Sequence, residues 1–381
     1  MFVFLHKQQI ERRIVIKMIS AAMETLSWFG WRKVSGFLIL FLAMAILLGA
    51  CAPGSAPPSP DQSISPESAA PPPTSTSSLT ASVTEPMVPF SIPLADGRRL
   101  INLVEAFLSY AEEGRDRSEE ERTSLWLTRL ELLDPSFFNE VLYRKLEGAE
   151  RDLFRQSLIE QFWNEIVPNV ETLRQVNREA PQLIQDGRSA FQQQFPRFDP
   201  QTDYYLTVSF SFNGKVVDLQ GRNTLAIGLE KFTPGSPELP MTIAHEQFHL
   251  YHLAGFSIQG ALYRSVWEEG LATYVSALVV PGYRLSQYLG FSVDRMNEIA
   301  DRFSELCGRL AGEMSSTDPS MKRAFLGVEE NDLGIPPACG YYLGFILVQR
   351  LTEQYSLEEL ASWDADRVYR EMQNALPLLQ L

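Results

Sequence analysis

His245-Glu246-Gln247-Phe248-His249 constrains this 381-residue chain more than any other stretch. On a helix, residues four apart lie about 40° apart in azimuth and about 6 Å along the axis, so both imidazoles can reach one ion. The flanks Ile243, Ala244, Phe248, Leu250 and Tyr251 are apolar, so the helix is expected to be buried inside a substantial core. Three of the four histidines, 245, 249 and 252, fall within eight residues, and His6 is the fourth. One reading is a core helix with satisfied histidines. The other is a metal helix of the H-E-x-x-H type, in which a zinc ion lowers the pKa of a bound water and Glu246 takes its proton as general base.

Two histidines leave such a site incomplete, because a catalytic zinc takes three protein ligands and keeps its fourth position open. His252 lies seven residues from His245, about 10 Å along the helix, too far for ligand bonds of about 2 Å to share one ion. It is expected to be a supporting or structural residue. A better source lies downstream, in Trp267-Glu268-Glu269-Gly270-Leu271-Ala272-Thr273-Tyr274. Trp267, Leu271, Tyr274, Val275 and Leu278 form an apolar stripe, which predicts a second packed helix. Its two acids are either favourable charges near a helix N-terminus or the missing ligand.

Together these segments resemble the gluzincin group of zinc metallopeptidases, and especially its bacterial members described as predicted zinc-dependent proteases. The resemblance covers residues 204–350. It implies one zinc ion held by His245, His249 and Glu269, with Glu268 either orienting substrate or having no role. The three-histidine pattern is excluded, since Gly255 stands where its last histidine belongs. The aminopeptidase branch places an oxyanion-stabilising tyrosine three residues before a glycine. Tyr341-Tyr342-Leu343-Gly344 matches this, so Tyr341 is the expected donor and Tyr342 the alternative. Two tyrosines packing at the start of a buried helix would look the same. Where some members carry an aspartate that orients the first histidine, this chain has Thr273. That points to Glu268 or a backbone carbonyl for the supporting role.

The rest of the chain reads as α+β and mostly helical. Apolar spacing of three and four predicts helices over 94–195, and helices again follow residue 240. Between them, aromatic and β-branched residues at 204–212, Asn213-Gly214, and residues 215–219 read as a hairpin, with 224–229 as a third strand. The expectation is a small, largely antiparallel sheet packed on the metal helix, with helical N- and C-terminal parts. The resemblance implies that an edge strand, taken as 224–229, binds extended substrate by β-augmentation. The divisions are 1–50, 51–93, 94–200 and 201–381.

Residues 1–50 read as an address. The apolar run at 37–48 follows Arg32 and Lys33, has the length of a secretory signal, and is short for a membrane span of about 20 residues. Met18 and Met23 are alternative starts, and an uncleaved anchor is the other reading. Leu48-Gly49-Ala50-Cys51 resembles the lipobox of bacterial lipoproteins, which implies lipidation at Cys51 and an extracytoplasmic, membrane-anchored protein. The Pro/Ser/Thr/Ala-rich stretch 52–93 reads as a solvated spacer.

The net charge is -14; residues 1–50 hold six Lys/Arg and two Asp/Glu, leaving 27 basic and 45 acidic groups, or -18, for the remainder. That balance argues against nucleic acid and anionic lipid headgroups as partners. Cys307 and Cys339 either pair in an oxidising compartment or stay as buried thiols. The expected activity is zinc-dependent hydrolysis of peptide or protein substrates. The alternative is a non-catalytic envelope lipoprotein with a structural zinc site or a partner-binding helical surface.

Overall fold

The structure, a computed structural model, describes residues 90–94, 97–198 and 203–380. The apolar run at 37–48, Cys51 and most of the 52–93 stretch lie outside the described residues. One five-stranded sheet is surrounded by helices, in agreement with an α+β, mostly helical class. The strands are β1 (Ser91–Pro93), β2 (Arg99–Asn102), β3 (Tyr204–Thr207), β4 (Gly214–Leu219) and β5 (Arg222–Gly228), in the order β1-β2-β3-β5-β4. Six helices matter below: α1 (Val104–Glu113), α2 (Val170–Gln194), α3 (Glu238–His252), α4 (Leu262–Val279), α5 (Phe303–Glu313) and α6 (Cys339–Leu351). No described helix is long and apolar enough to cross a membrane.

The sheet is mixed, where a largely antiparallel one was expected. β2 pairs with β3 and β3 with β5 in parallel, while only the two outer pairings are antiparallel. About a hundred residues of helix connect β2 to β3, the kind of long crossover that a parallel neighbour requires. Strand β2 lies in a stretch read as helical, because Leu100 followed by Val104 imitates a helical interval. Ser91–Pro93, in turn, joins the sheet from within the stretch read as spacer.

Asn213-Gly214 does not turn a hairpin. The tight turn is Gln220-Gly221, with φ of 54° and 76°, joining β4 to β5 at the pair Leu219 and Arg222. Two consecutive residues at positive φ are the requirement of a type I′ hairpin turn. Strand β5 is therefore interior, and β4 is the edge. The strand expected to offer a free edge, 224–229, is thus paired on both sides.

The central strands are nearly continuous apolar sequence, as strands covered on both faces must be. Tyr204, Leu206, Leu225, Ala226 and Ile227 are all fully buried. Helix α3 packs on β4 and β5, α2 lies against α3, and α4 packs on both α3 and α6. On the other side, Phe107 of α1 sits within 5.7–6.2 Å of the rings of Trp126, Phe138, Phe162 and Phe210. Cys307 and Cys339 are buried free thiols, and burial pushes them up to about 11 and about 12.

Candidate metal centre

Helix α3 delivers His245 and His249 from one face, with their Nε2 atoms 2.9 Å apart. Glu269, from the first half of α4, brings its Oε2 to 3.2 Å from His245 Nε2 and 3.4 Å from His249 Nε2. For a tetrahedral ion with bonds of about 2.1 Å, neighbouring ligand atoms stand about 3.4 Å apart. The two nitrogens and one oxygen approach that spacing, so the group could hold a metal ion. No fourth His, Cys, Asp or Glu joins them among the described residues. Two imidazoles and a carboxylate are a donor set that zinc accepts.

The electrostatics of the group follow from crowding. Burial opposes ionisation of Glu269, but the imidazoles of His249 and His245 outweigh it and hold the carboxyl far below its usual range. Burial likewise opposes a charge on His249, while Glu269 and Glu268 together raise it well above its ordinary value. Glu269 and the His249 imidazole thus hold one another in the charged forms where a cation would otherwise sit.

Glu268 explains how His249 is aimed. Its Oε1 lies 2.7 Å from His249 Nδ1, and its other oxygen meets His252 Nδ1. At 1% exposure no water can replace these contacts. A proton on Nδ1 shared with Glu268 leaves the Nε2 lone pair free for an ion. His252 is stacked between Phe248 and Phe256, with ring centroids at 5.1 and 4.7 Å, and takes no place among the metal-facing atoms. Thr273 turns its hydroxyl to the Glu269 carbonyl at 2.8 Å, back along its own helix. Glu268 therefore meets the second histidine, His249, whereas the sequence reading named it as one of two possible partners for the first, His245.

Two further groups lie near the centre. The Glu246 carboxyl is raised by burial, against the pull of His249 and His245, and packs beside Gly214 of β4. Tyr341, in the first turn of α6, is raised well above its ordinary value by burial and by Glu269 and Glu246, so its hydroxyl keeps its proton. Tyr342 points elsewhere, edge-on to Phe303 with ring centroids 5.8 Å apart.

Glycines set these approaches. A Cβ on Gly214 would lie 2.6 Å from both Glu246 Cγ and Thr242 Cγ2, so only glycine lets β4 lie this close to α3. That role was hidden by the hairpin reading; a glycine within a strand is the signal for it. At the crossing of α4 and α6, a Cβ on Gly270 would meet the Gly344 backbone at 2.4 Å, and one on Gly344 would meet the Val266 carbonyl at 2.4 Å. This contact brings Glu269 and Tyr341 to the same side of the site. No family model, curated protein or solved structure matches the chain.

Proposed function

We propose that this chain is a zinc-dependent peptidase. The observation that carries the reading is the convergence of His245, His249 and Glu269 on one point, with Glu246 and Tyr341 near enough for Glu269 to raise both. Those three residues would hold the zinc, which when bound supplies Lewis acidity and makes water more acidic. Glu246 takes the proton of the attacking water and passes it to the leaving amine. Tyr341 donates a hydrogen bond where negative charge develops on the scissile carbonyl oxygen. Glu268 keeps His249 in register through its Nδ1.

Strand β4 is the natural seat for substrate. In a two-residue hairpin, the closing pair Leu219 and Arg222 is hydrogen-bonded, so alternation turns the N–H and C=O groups of Gly214, Val216 and Asp218 to the free edge. The bond from Gly228 N–H to the Asn213 carbonyl at 2.8 Å agrees with that phase. A structural zinc site would need four protein donors, and three converge here among the described residues. By the lipobox resemblance, Cys51 would carry the lipid that anchors the body outside the cytoplasmic membrane. Uptake of a labelled fatty acid by parent but not by Cys51→Ser tests that part.

The test of the activity uses protein purified without chelator. Stoichiometric zinc and cleavage of a quenched peptide library are expected, and Glu246→Gln should keep the metal while losing cleavage. Protein without zinc, or a Glu246→Gln variant that cleaves as well as the parent, would overturn the reading.

A further inference from the structure

We propose that the cleft selects extended peptides bearing acidic side chains, by means of a basic wall formed by Arg144, Lys145 and Lys215. The proposal rests on the reading that substrate lies along β4. A groove of about 640 Å³ runs beside that strand, lined by these three cations together with Phe212, Val216 and Asp218. Gly214, beside Lys215 on the same strand, lies so close to Glu246 that a Cβ there would stand 2.6 Å from its Cγ, so the strand that lines the groove passes against the reacting centre.

The wall is built rather than incidental. Arg144 and Lys145 have φ of 52° and 63°, a left-handed conformation that side chains with a Cβ adopt at a cost and that neither Gly nor Asn relieves here. The segment that carries them is tied to the β4–β5 hairpin. Gln220 N donates to Glu140 at 3.2 Å, Gln220 Nε2 donates to Ser136 Oγ at 2.7 Å, and Phe137 stacks on Tyr205 at 4.7 Å. None of the three cations forms an ion pair among the described residues, although acids outnumber bases 47 to 33 in the chain. The two acids that share the groove, Glu140 and Asp218, leave its lining with one net positive charge. The free edge of β4 presents peptide-spaced donors and acceptors, so the anion that fits belongs to a peptide chain.

The experiment measures binding apart from chemistry. Full-length Glu246→Gln protein in detergent, purified without chelator, is titrated with two labelled ten-residue peptides that differ only by Glu or Gln at three positions, read by fluorescence anisotropy. The acidic peptide should bind about tenfold tighter at low salt, the advantage shrinking as salt is raised. Adding Arg144→Asn, Lys145→Asn and Lys215→Gln should bring the ratio below about twofold; asparagine tolerates the left-handed backbone, so folding is kept. Lys215→Gln alone should give an intermediate ratio. Equal binding of the two peptides, a preference that survives the neutral wall, or equal competition by a non-peptide polyanion would overturn the proposal. Failure of the peptidase reading looks different: the metal-loaded parent would not cleave, yet the charge preference in binding would remain.

Discussion

Replacing Glu268 by glutamine changes one atom and removes half of a shared interaction. The carboxylate accepts from His249 Nδ1 at 2.7 Å and from His252 Nδ1 at the same time. An amide offers one oxygen and one NH2, so whichever imidazole keeps the oxygen, the other faces a donor. The retained bond also loses its charge, and charge-assisted bonds are roughly twice as strong as neutral ones. Since the site is 1% exposed, water cannot repair the loss. Outer partners of metal-binding histidines are typically worth about 10–100-fold in affinity, or about 1.4–2.7 kcal/mol. Glu268→Gln should therefore weaken zinc binding by that factor, measured by competition with a chromogenic chelator at neutral pH, with circular dichroism unchanged. An affinity within about twofold of the parent would refute the idea that Glu268 holds His249.

Tyr341→Phe should lower kcat by about 10²–10³ with zinc content unchanged, while Tyr342→Phe leaves kcat near that of the parent; steady-state kinetics on one peptide decide. Gly344→Ala should cost about 1–3 kcal/mol, seen as a lower thermal midpoint, because its Cβ would stand 2.4 Å from the Val266 carbonyl. Removing metal with a chelator should lower the thermal midpoint, and restoring zinc at about 1,000 times Kd should return about 4 kcal/mol. The raised thiols of Cys307 and Cys339 set a pH window. Their contribution to stability is complete below the ordinary thiol value of 9.0 and is lost as pH climbs through about 11 and about 12. Denaturation midpoints measured from pH 7 to pH 11 should fall only above about 9, and in folded protein neither thiol should react with Ellman's reagent at pH 8.

The parts of this site that were legible in sequence are those written within one helical turn. His245 and His249 are four apart on a run of apolar residues, so their common face follows from helix geometry alone. Glu269 needed a resemblance to single it out from Glu268, since adjacent acids differ only in which side of α4 they leave. The supporting role of Glu268 depends on how α3 and α4 cross, which no local pattern records. Sheet pairing was the least legible part. Strand β2 is four residues long and looks helical by its spacing, and the parallel partnership of β3 with β5 joins segments whose intervening strand lies outside both. Gly214 was read for its turn propensity, whereas its place is set by Glu246 and Thr242 on another element. Arg144 and Lys145 close a helical stretch in sequence, and only the fold lays them over a strand seventy residues on.

The touching backbones of α4 and α6 leave residues 270 and 344 without freedom to vary. A clash introduced at one cannot be relieved by a smaller partner, because the partner already has no side chain. Exchange at either position would push apart the helix that carries a metal-facing carboxylate and the helix that carries the neighbouring phenol. Damage of that kind would strike cation retention and turnover together, from a position that touches neither ion nor peptide.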